Sequence, residues 1–527
     1  MPAVLVALLT ALGFALRLAT FDQSLIGDEL STYWILDGAS LGEVLSSIRS
    51  DDEITPPLYF TLAWLSMKIG PDPEWVRLPS LLAGTATIPL VYLLGARTVG
   101  VRAGLIGAAV FTLSPFMIYY GAEARSYAVM LLLLTASTLA LLGALRGRRT
   151  GAWVLYAVCS AGAMLTHYTA LFPLAAQLAW ALWFHRDAVR PLLLANVGAV
   201  VLFSPWIPGF IADNNSPTTA ILAGLSPFTA DFVWQSTKNW AIGYPYVQLD
   251  IVPGNLATVM LAGGLALAAA TALIRGASWL RTAGVSARVA IRGTPPGLVL
   301  VVLLALAAPA GEALYSALGS DILGARNLNS SWPGLALSIG ALLTAAGPVL
   351  GVACALAVLA GFGIGAARAL DGPAARIDAK GAAEVIEERS NPEDVVVDTY
   401  VLTPVPLTAL DVYLPQTHPE FRLGLPVSDR PFTVFDPVPP PRRLMQEALD
   451  SANGGPIFLV APLSASTLVD PGNEKAEVKQ ERPSKLARRL LRDAAPRFEV
   501  TYEQRFEGIA PLAVYQLEER AGRDSGS

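Results

Sequence analysis

Carboxylates, cations and a histidine punctuate a chain that is otherwise mostly apolar, and their positions point to chemistry on a phosphate. Gly27-Asp28-Glu29 puts two adjacent carboxylates directly after the first long apolar run. Glu53 stands in Asp51-Asp52-Glu53-Ile54-Thr55-Pro56-Pro57, and Glu123, Arg125 and Tyr127 stand in Tyr119-Tyr120-Gly121-Ala122-Glu123-Ala124-Arg125-Ser126-Tyr127. Thr166-His167-Tyr168, Lys238-Asn239-Trp240 and Gly324-Ala325-Arg326-Asn327 follow. One Asp at the centre of a bilayer costs roughly 2.5–3.5 kcal/mol even on lenient insertion scales. The Asp28–Glu29 pair is therefore expected where the chain has just left the membrane.

These residue types suit group transfer from a lipid-linked donor. A sugar carried on a polyprenyl phosphate leaves behind an acidic phosphate, so little general-acid help is required. Cations are needed to hold the growing negative charge, and the planar fork of Arg matches phosphate. A carboxylate must take the proton of the acceptor hydroxyl. Asp28 fits as base, with Glu29 beside it, and Arg125, Arg326 and Lys238 fit as phosphate holders near Glu123 and Tyr127. Glu53, His167 and Tyr168 suit an acceptor side or cavity wall. Single displacement with these parts inverts the anomeric centre. Each residue also has a plainer reading: Arg125 and Arg326 as snorkelling cations, Glu123 paired with Arg125, His167 as a structural histidine, and the tyrosines as an interfacial belt. Their convergence on one membrane face favours the site.

The elements that must position these residues are apolar. The chain has 527 residues, 53% hydrophobic and 15% charged, with a mean hydropathy of +0.50, whereas ordinary soluble domains are about 25% charged. A polytopic helical membrane protein follows. Runs near 2–20, 78–97, 102–120, 126–145, 152–168, 169–184, 190–208, 255–275, 297–318, 331–347 and 348–370 approach the roughly 20 residues that a crossing needs, about eleven spans. The first run has no basic start or evident cleavage site and reads as a retained anchor. Cys159 and Cys354 both lie inside apolar runs, which argues against a disulfide framework.

Short loops holding Arg97, Arg102, Arg146, Arg148, Arg149, Arg186, Arg190, Arg275, Arg281, Arg288 and Arg292 fall on one side with the lone acid Asp187. By the positive-inside rule that side is cytoplasmic, so the N-terminus is cytoplasmic and Asp28 and Glu29 face outward. Residues 21–77 form a long first outer loop. Pro57–Ile69 within it covers only about 20 Å of a core about 30 Å thick and reads as an interfacial helix, and 41–48 reads as a second. After residue 370 charge rises and apolar runs shrink to strand length. A helix at 380–389 and strands at 394–399, 455–462, 498–502 and 512–517 predict an extracytoplasmic α/β domain over 371–519, with a Pro-rich loop at 437–441 and a tail at 520–527.

With those motifs in place the chain resembles the GT-C membrane glycosyltransferases, and within them the protein O-mannosyltransferases and bacterial aminoarabinose transferases. The resemblance rests on Asp28-Glu29, Pro56-Pro57-Leu58-Tyr59-Phe60, Arg77-Leu78-Pro79-Ser80, Ser114-Pro115 and the 120–127 stretch. It covers residues 1 to about 370 and is specific in the first 170. It implies a base or acceptor contact at Asp28 with Glu29 as its partner, a donor-side motif at Glu123 and Arg125, and a lipid-phosphate contact at Arg326. Asn327 stands where relatives often carry Tyr, and Thr55 where many carry His, which argues against a metal there. A divalent cation at Asp28 and Glu29, as in the oligosaccharyltransferase branch, stays open. The partners expected are the lipid bilayer of the cell membrane, a polyprenyl-phosphate sugar, and a glycan, lipid or protein acceptor, with no nucleic acid. The rival class is a transporter or flippase of lipid-linked glycans. It would show repeats and broken helices at the midplane, whereas the charges here sit at span ends.

Overall fold

The computed structural model describes residues 2–49, 53–147, 149–219, 223, 227–283, 293–319, 321–400, 408–415, 417–423, 440–463 and 483–520. Asp51, Asp52, Arg148, Arg288, Arg292, the Pro-rich residues 437–439 and the tail from 521 lie outside them. The chain divides into two compact units. One comprises Met1–Phe21, Ser40–Ile69 and Arg77–Leu370; the other comprises Asp22–Ala39, Gly70–Val76 and Asp371–Ser527.

The first unit is helical, and a helix occupies each of the apolar runs. Among the described residues, six helices are long and apolar enough to cross a membrane: Pro73–Thr98, Tyr127–Gly147, Arg186–Asn215, Asp250–Ala283, Pro296–Ala317 and Leu350–Arg368. Four shorter apolar helices accompany them, Pro2–Leu18, Val101–Leu113, Thr150–Met164 and Tyr168–Phe184. Together they make a polytopic helical membrane protein. Large apolar side chains such as Leu194, Val259, Leu273, Leu306 and Leu356 remain exposed, as a lipid-facing surface requires. Helices approach closely over small residues, as is common in membranes. At Gly340, on helix Trp332–Ala345, a Cβ would fall 2.3 Å from the Ala103 carbonyl oxygen. Polar contacts add to the packing: Gln177 donates to Thr138 at 3.0 Å and accepts from Ser137 at 3.1 Å, tying two helices inside the bundle.

The short segments of the first loop are helices too. Pro57–Ser66 has Pro57 in its first turn, where the missing N–H costs nothing, and its ten residues are too few to cross a core. Leu41–Ser47 begins with a capping box: Ser40 Oγ accepts from Glu43 N, and Glu43 Oε2 accepts from Ser40 N at 2.7 Å.

Among the described residues the second unit is built on a five-stranded mixed sheet of order β2-β1-β3-β5-β4. Its strands are β1 (Val395–Asp398), β2 (Glu420–Arg422), β3 (Ile457–Pro462), β4 (Phe498–Phe506) and β5 (Leu512–Glu519). β1 pairs in parallel with β2 and β3, while β5 runs antiparallel to both β3 and β4. β1 is buried along its whole length, so its apolar run reads as continuous rather than alternating. Helices Pro441–Ser451 and Lys485–Ala494 supply Leu444, Met445, Ala448 and Leu490 to the core beneath the sheet.

One domain boundary differs from the sequence reading. That reading keeps all of 21–77 with the membrane helices, whereas residues 22–39 and 70–76 group with the chain after residue 370. The cause is polar and specific. Leu25 N donates to Tyr413 Oη at 2.7 Å, Lys380 N to Ser24 Oγ at 3.0 Å, and Lys380 Nζ lies 2.9 Å from Asp22 Oδ1. Spacing along one chain carries no sign of pairings between residues so far apart.

Candidate active site

In the first unit the turn after helix Pro115–Tyr120 carries the central group. Ser114 Oγ caps that helix by accepting from Met117 N at 3.3 Å, so Tyr119, Tyr120 and the turn that follows start from a fixed point. Gly121 is required where the turn meets Arg17, because a Cβ there would lie 2.2 Å from Arg17 Nε. Ser80 Oγ holds the Arg125 carbonyl at 3.0 Å. The Arg125 guanidinium then closes as a fork on Glu53, with Nη1 donating to Oε2 at 2.8 Å and Nη2 to Oε1 at 3.3 Å. Nη2 also donates to Thr55 Oγ1 at 3.1 Å. The side chains are only 12% and 4% exposed. Glu123, which the plainer reading pairs with Arg125, is buried within electrostatic reach of Tyr120.

His167 lies within electrostatic reach of both Arg125 and Arg326, and this brings the third and the last of the sequence motifs to one place. Its Nδ1 accepts from Thr169 N at 3.3 Å, which leaves the proton of the neutral ring on Nε2. Its ring lies 5.2 Å from that of Tyr127, Tyr127 is 4.9 Å from Tyr120, and Tyr120 is 5.1 Å from Tyr119. Tyr119, Tyr120 and Tyr127 are buried, so they form an inner wall rather than the interfacial belt of the plainer reading. Arg326 is half-buried at the start of a short turn, Asn327–Ser331, where its carbonyl accepts from Asn329 Nδ2 at 2.9 Å. Asn327 Nδ2 donates to the Ile322 carbonyl at 2.7 Å and so closes the same turn.

Tyr168 donates its hydroxyl proton to Asp213 Oδ2 and accepts from Trp206 Nε1 at 2.9 Å. Glu53 is within electrostatic reach of both members of that pair. The first unit thus gathers Glu53, Arg125, Tyr127, His167, Tyr168 and Arg326. Lys238 is placed differently: its ammonium lies 5.4 Å from the ring of the exposed Trp234, and among the described residues no contact joins it to the two arginines.

In the second unit, Asp28 and Glu29 open helix Asp28–Leu36, where carboxylates complement the helix dipole. They face different surroundings. Glu29 is fully buried, and its Oε2 accepts from Ile26 N and lies 3.3 Å from Arg376 Nε, also fully buried. Asp28 is half-buried. Glu29 therefore has the geometry of a structural ion pair rather than of a second catalytic carboxylate. Among the described residues no three His, Cys, Asp or Glu side chains gather as ligands, and a cation at Glu29 would have to displace a guanidinium.

Two buried carboxylates escaped the sequence reading. Asp213, in a polar stretch after a span, carries no local signal. Glu312 does: it is a lone carboxylate in the apolar helix Pro296–Ala317 and is fully buried, with the Gly324 amide directed at it. An ionisable residue in such a run marks a candidate site.

Residues 55–208 match the family model described as dolichyl-phosphate-mannose-protein mannosyltransferase. No curated protein sequence matches the chain. Among solved structures, ArnT from Cupriavidus metallidurans is similar over 97% of both chains at 14% identity, with TM-scores of 0.54 in its apo state and 0.52 bound to undecaprenyl phosphate. The Archaeoglobus fulgidus oligosaccharyltransferase in its apo form is similar over 88% of this chain and 69% of its own, at 12% identity and a TM-score of 0.49. The resemblance to GT-C membrane glycosyltransferases is therefore carried by a family match in the first half of the helical unit and by fold along the chain.

Proposed function

We propose that the protein is a multi-pass membrane glycosyltransferase that moves a sugar from a polyprenyl-phosphate donor to a hydroxyl of a glycan, lipid or protein, with inversion. The observation that carries this reading is the buried fork of Arg125 on Glu53, with Arg326 and Arg125 both within electrostatic reach of His167, in a fold similar to that of a protein solved with undecaprenyl phosphate bound. The proposed topology has about eleven spans, a cytoplasmic N-terminus and an extracytoplasmic second unit, from the Arg bias of the short loops.

In the proposed reaction the acceptor oxygen attacks the anomeric carbon as the bond from that carbon to the phosphate oxygen breaks. The acceptor proton passes to Asp28, and the polyprenyl phosphate leaves with the bond's electron pair. Arg326 and the Glu53-oriented fork of Arg125 offset its charge, in a setting where fixed donors are worth more than in water. Tyr127 and His167 form the wall beside them. Glu29 holds the helix that presents Asp28, and no step uses a metal ion.

Mass spectrometry of the purified protein tests the donor class. A co-purified polyprenyl phosphate, or retention of added undecaprenyl phosphate that weakens on Arg326→Ala, is expected. A folded wild-type protein that binds no such lipid removes the donor from the reading.

A further inference from the structure

Asp213 is 4% exposed, and its two oxygens have unlike surroundings. Oδ2 takes the Tyr168 hydroxyl proton, while Oδ1 is buried and has no hydrogen-bond partner among the described residues. The Tyr168 hydroxyl cannot turn away, because it also accepts from Trp206 Nε1 at 2.9 Å and its ring is held edge-on by Phe210 at 5.1 Å. Asp213 is thus fixed by aromatic neighbours beside Glu53, whose own carboxylate is engaged by Arg125. Leaving a buried acceptor unmatched is costly, and such a group in a candidate site marks a place where a ligand completes the hydrogen bonding. The missing partner must be a donor. A neutral hydroxyl fits beside Asp213 with Glu53 within electrostatic reach, whereas an anion would be repelled by the two carboxylates.

We propose that Asp213 is a specificity-determining residue that reads the transferred sugar, its Oδ1 accepting a hydrogen bond from one ring hydroxyl while Tyr168 and Trp206 hold it in place. The inference rests on the donor reading above and adds the part of the donor that is recognised. The two arginines hold the phosphate whatever sugar it carries, so Asp213 governs the extra affinity that the sugar confers.

The test compares two affinities for each protein, one for undecaprenyl phosphate and one for undecaprenyl phosphate carrying the best-bound of mannose, arabinose, galactose and glucosamine. In Asp213→Asn the amide oxygen still accepts from Tyr168 but a donor replaces Oδ1. The sugar-dependent gain in affinity is expected to fall roughly 10–100-fold, with binding of the bare lipid phosphate unchanged. A folded Asp213→Asn protein that keeps the whole gain overturns the inference alone. A wild type that binds neither lipid overturns the donor reading and the inference with it. Donors lacking one ring hydroxyl, offered to the wild type, give an arm independent of the variant's folding. One of them should lose the same factor, and equal binding of all of them overturns the inference.

Discussion

Glu29 Oε2 and Arg376 Nε lie 3.3 Å apart with neither side chain exposed, so an early loop helix and the start of the α/β unit share one buried charge pair. Removing one partner from such a pair costs about 3–5 kcal/mol, because the other charge is left buried. Glu29→Ala is expected to destabilise the protein by that amount in denaturant unfolding, and Glu29→Ala with Arg376→Met by much less. Asp28→Asn should leave stability nearly unchanged. Equal destabilisation by the single and double variants would show that the pair does not hold this unit together.

The Arg125–Glu53 fork sets a second expectation. Lys cannot reproduce its planar, two-point geometry, so Arg125→Lys should lower both sugar transfer and stability although charge is kept. A double-mutant cycle with Glu53→Gln should show coupling of about 0.5–3 kcal/mol. Strict additivity would mean that Glu53 does not position Arg125.

How much of this was legible in the sequence depends on the kind of signal. The helices follow apolar runs, so the segments at 78–98, 127–147 and 350–368 stand near their expected places. The strands at 395–398, 457–462, 498–506 and 512–519 lie within or beside the predicted ones. Arg125, His167 and Arg326 were legible because each sits in a distinctive motif at the end of an apolar run. Their partners were not. Nothing in the spacing tells that Arg125 closes on Glu53, that Tyr168 finds Asp213, or that Glu29 turns inward to Arg376. Those choices are made by tertiary packing between residues far apart in the chain. The helix Asp28–Leu36 was missed because its mixed residues show neither a clear apolar stripe nor a span-length run.

Gly84 offers a steric test of the turn that carries Arg125. A Cβ at Gly84 would lie 2.9 Å from Gly121 Cα and 3.1 Å from its carbonyl oxygen, both backbone atoms that cannot swing aside. Gly84→Ala is expected to cost about 1–3 kcal/mol through overpacking and to weaken undecaprenyl phosphate binding as the turn shifts. Unchanged melting and binding would show that the turn tolerates displacement.

Asp398 gives the second unit a pH dependence. Burial, offset in part by the Tyr400 amide and increased by Glu420, pushes its carboxyl up to about 7 from an ordinary 3.8. Between these values the folded state binds more protons than the unfolded state, so stability falls as pH rises from about 4 through about 7. Melting curves should show that loss, and Asp398→Asn should flatten it. A variant with the same pH profile as the wild type would remove Asp398 as its source.

Sugar transfer itself is the most direct measurement of the central claim. Membranes holding the wild type, Asp28→Asn or Arg326→Ala are supplied with undecaprenyl phosphate carrying labelled mannose, arabinose, galactose or glucosamine, and label reaching acceptor is counted. Transfer by the wild type from at least one donor is expected, with loss of roughly 10²–10³-fold in Arg326→Ala and a comparable or greater loss in Asp28→Asn at normal folding. Undiminished transfer by a folded Asp28→Asn protein, or movement of intact lipid-linked sugar across vesicles without covalent transfer, would contradict it.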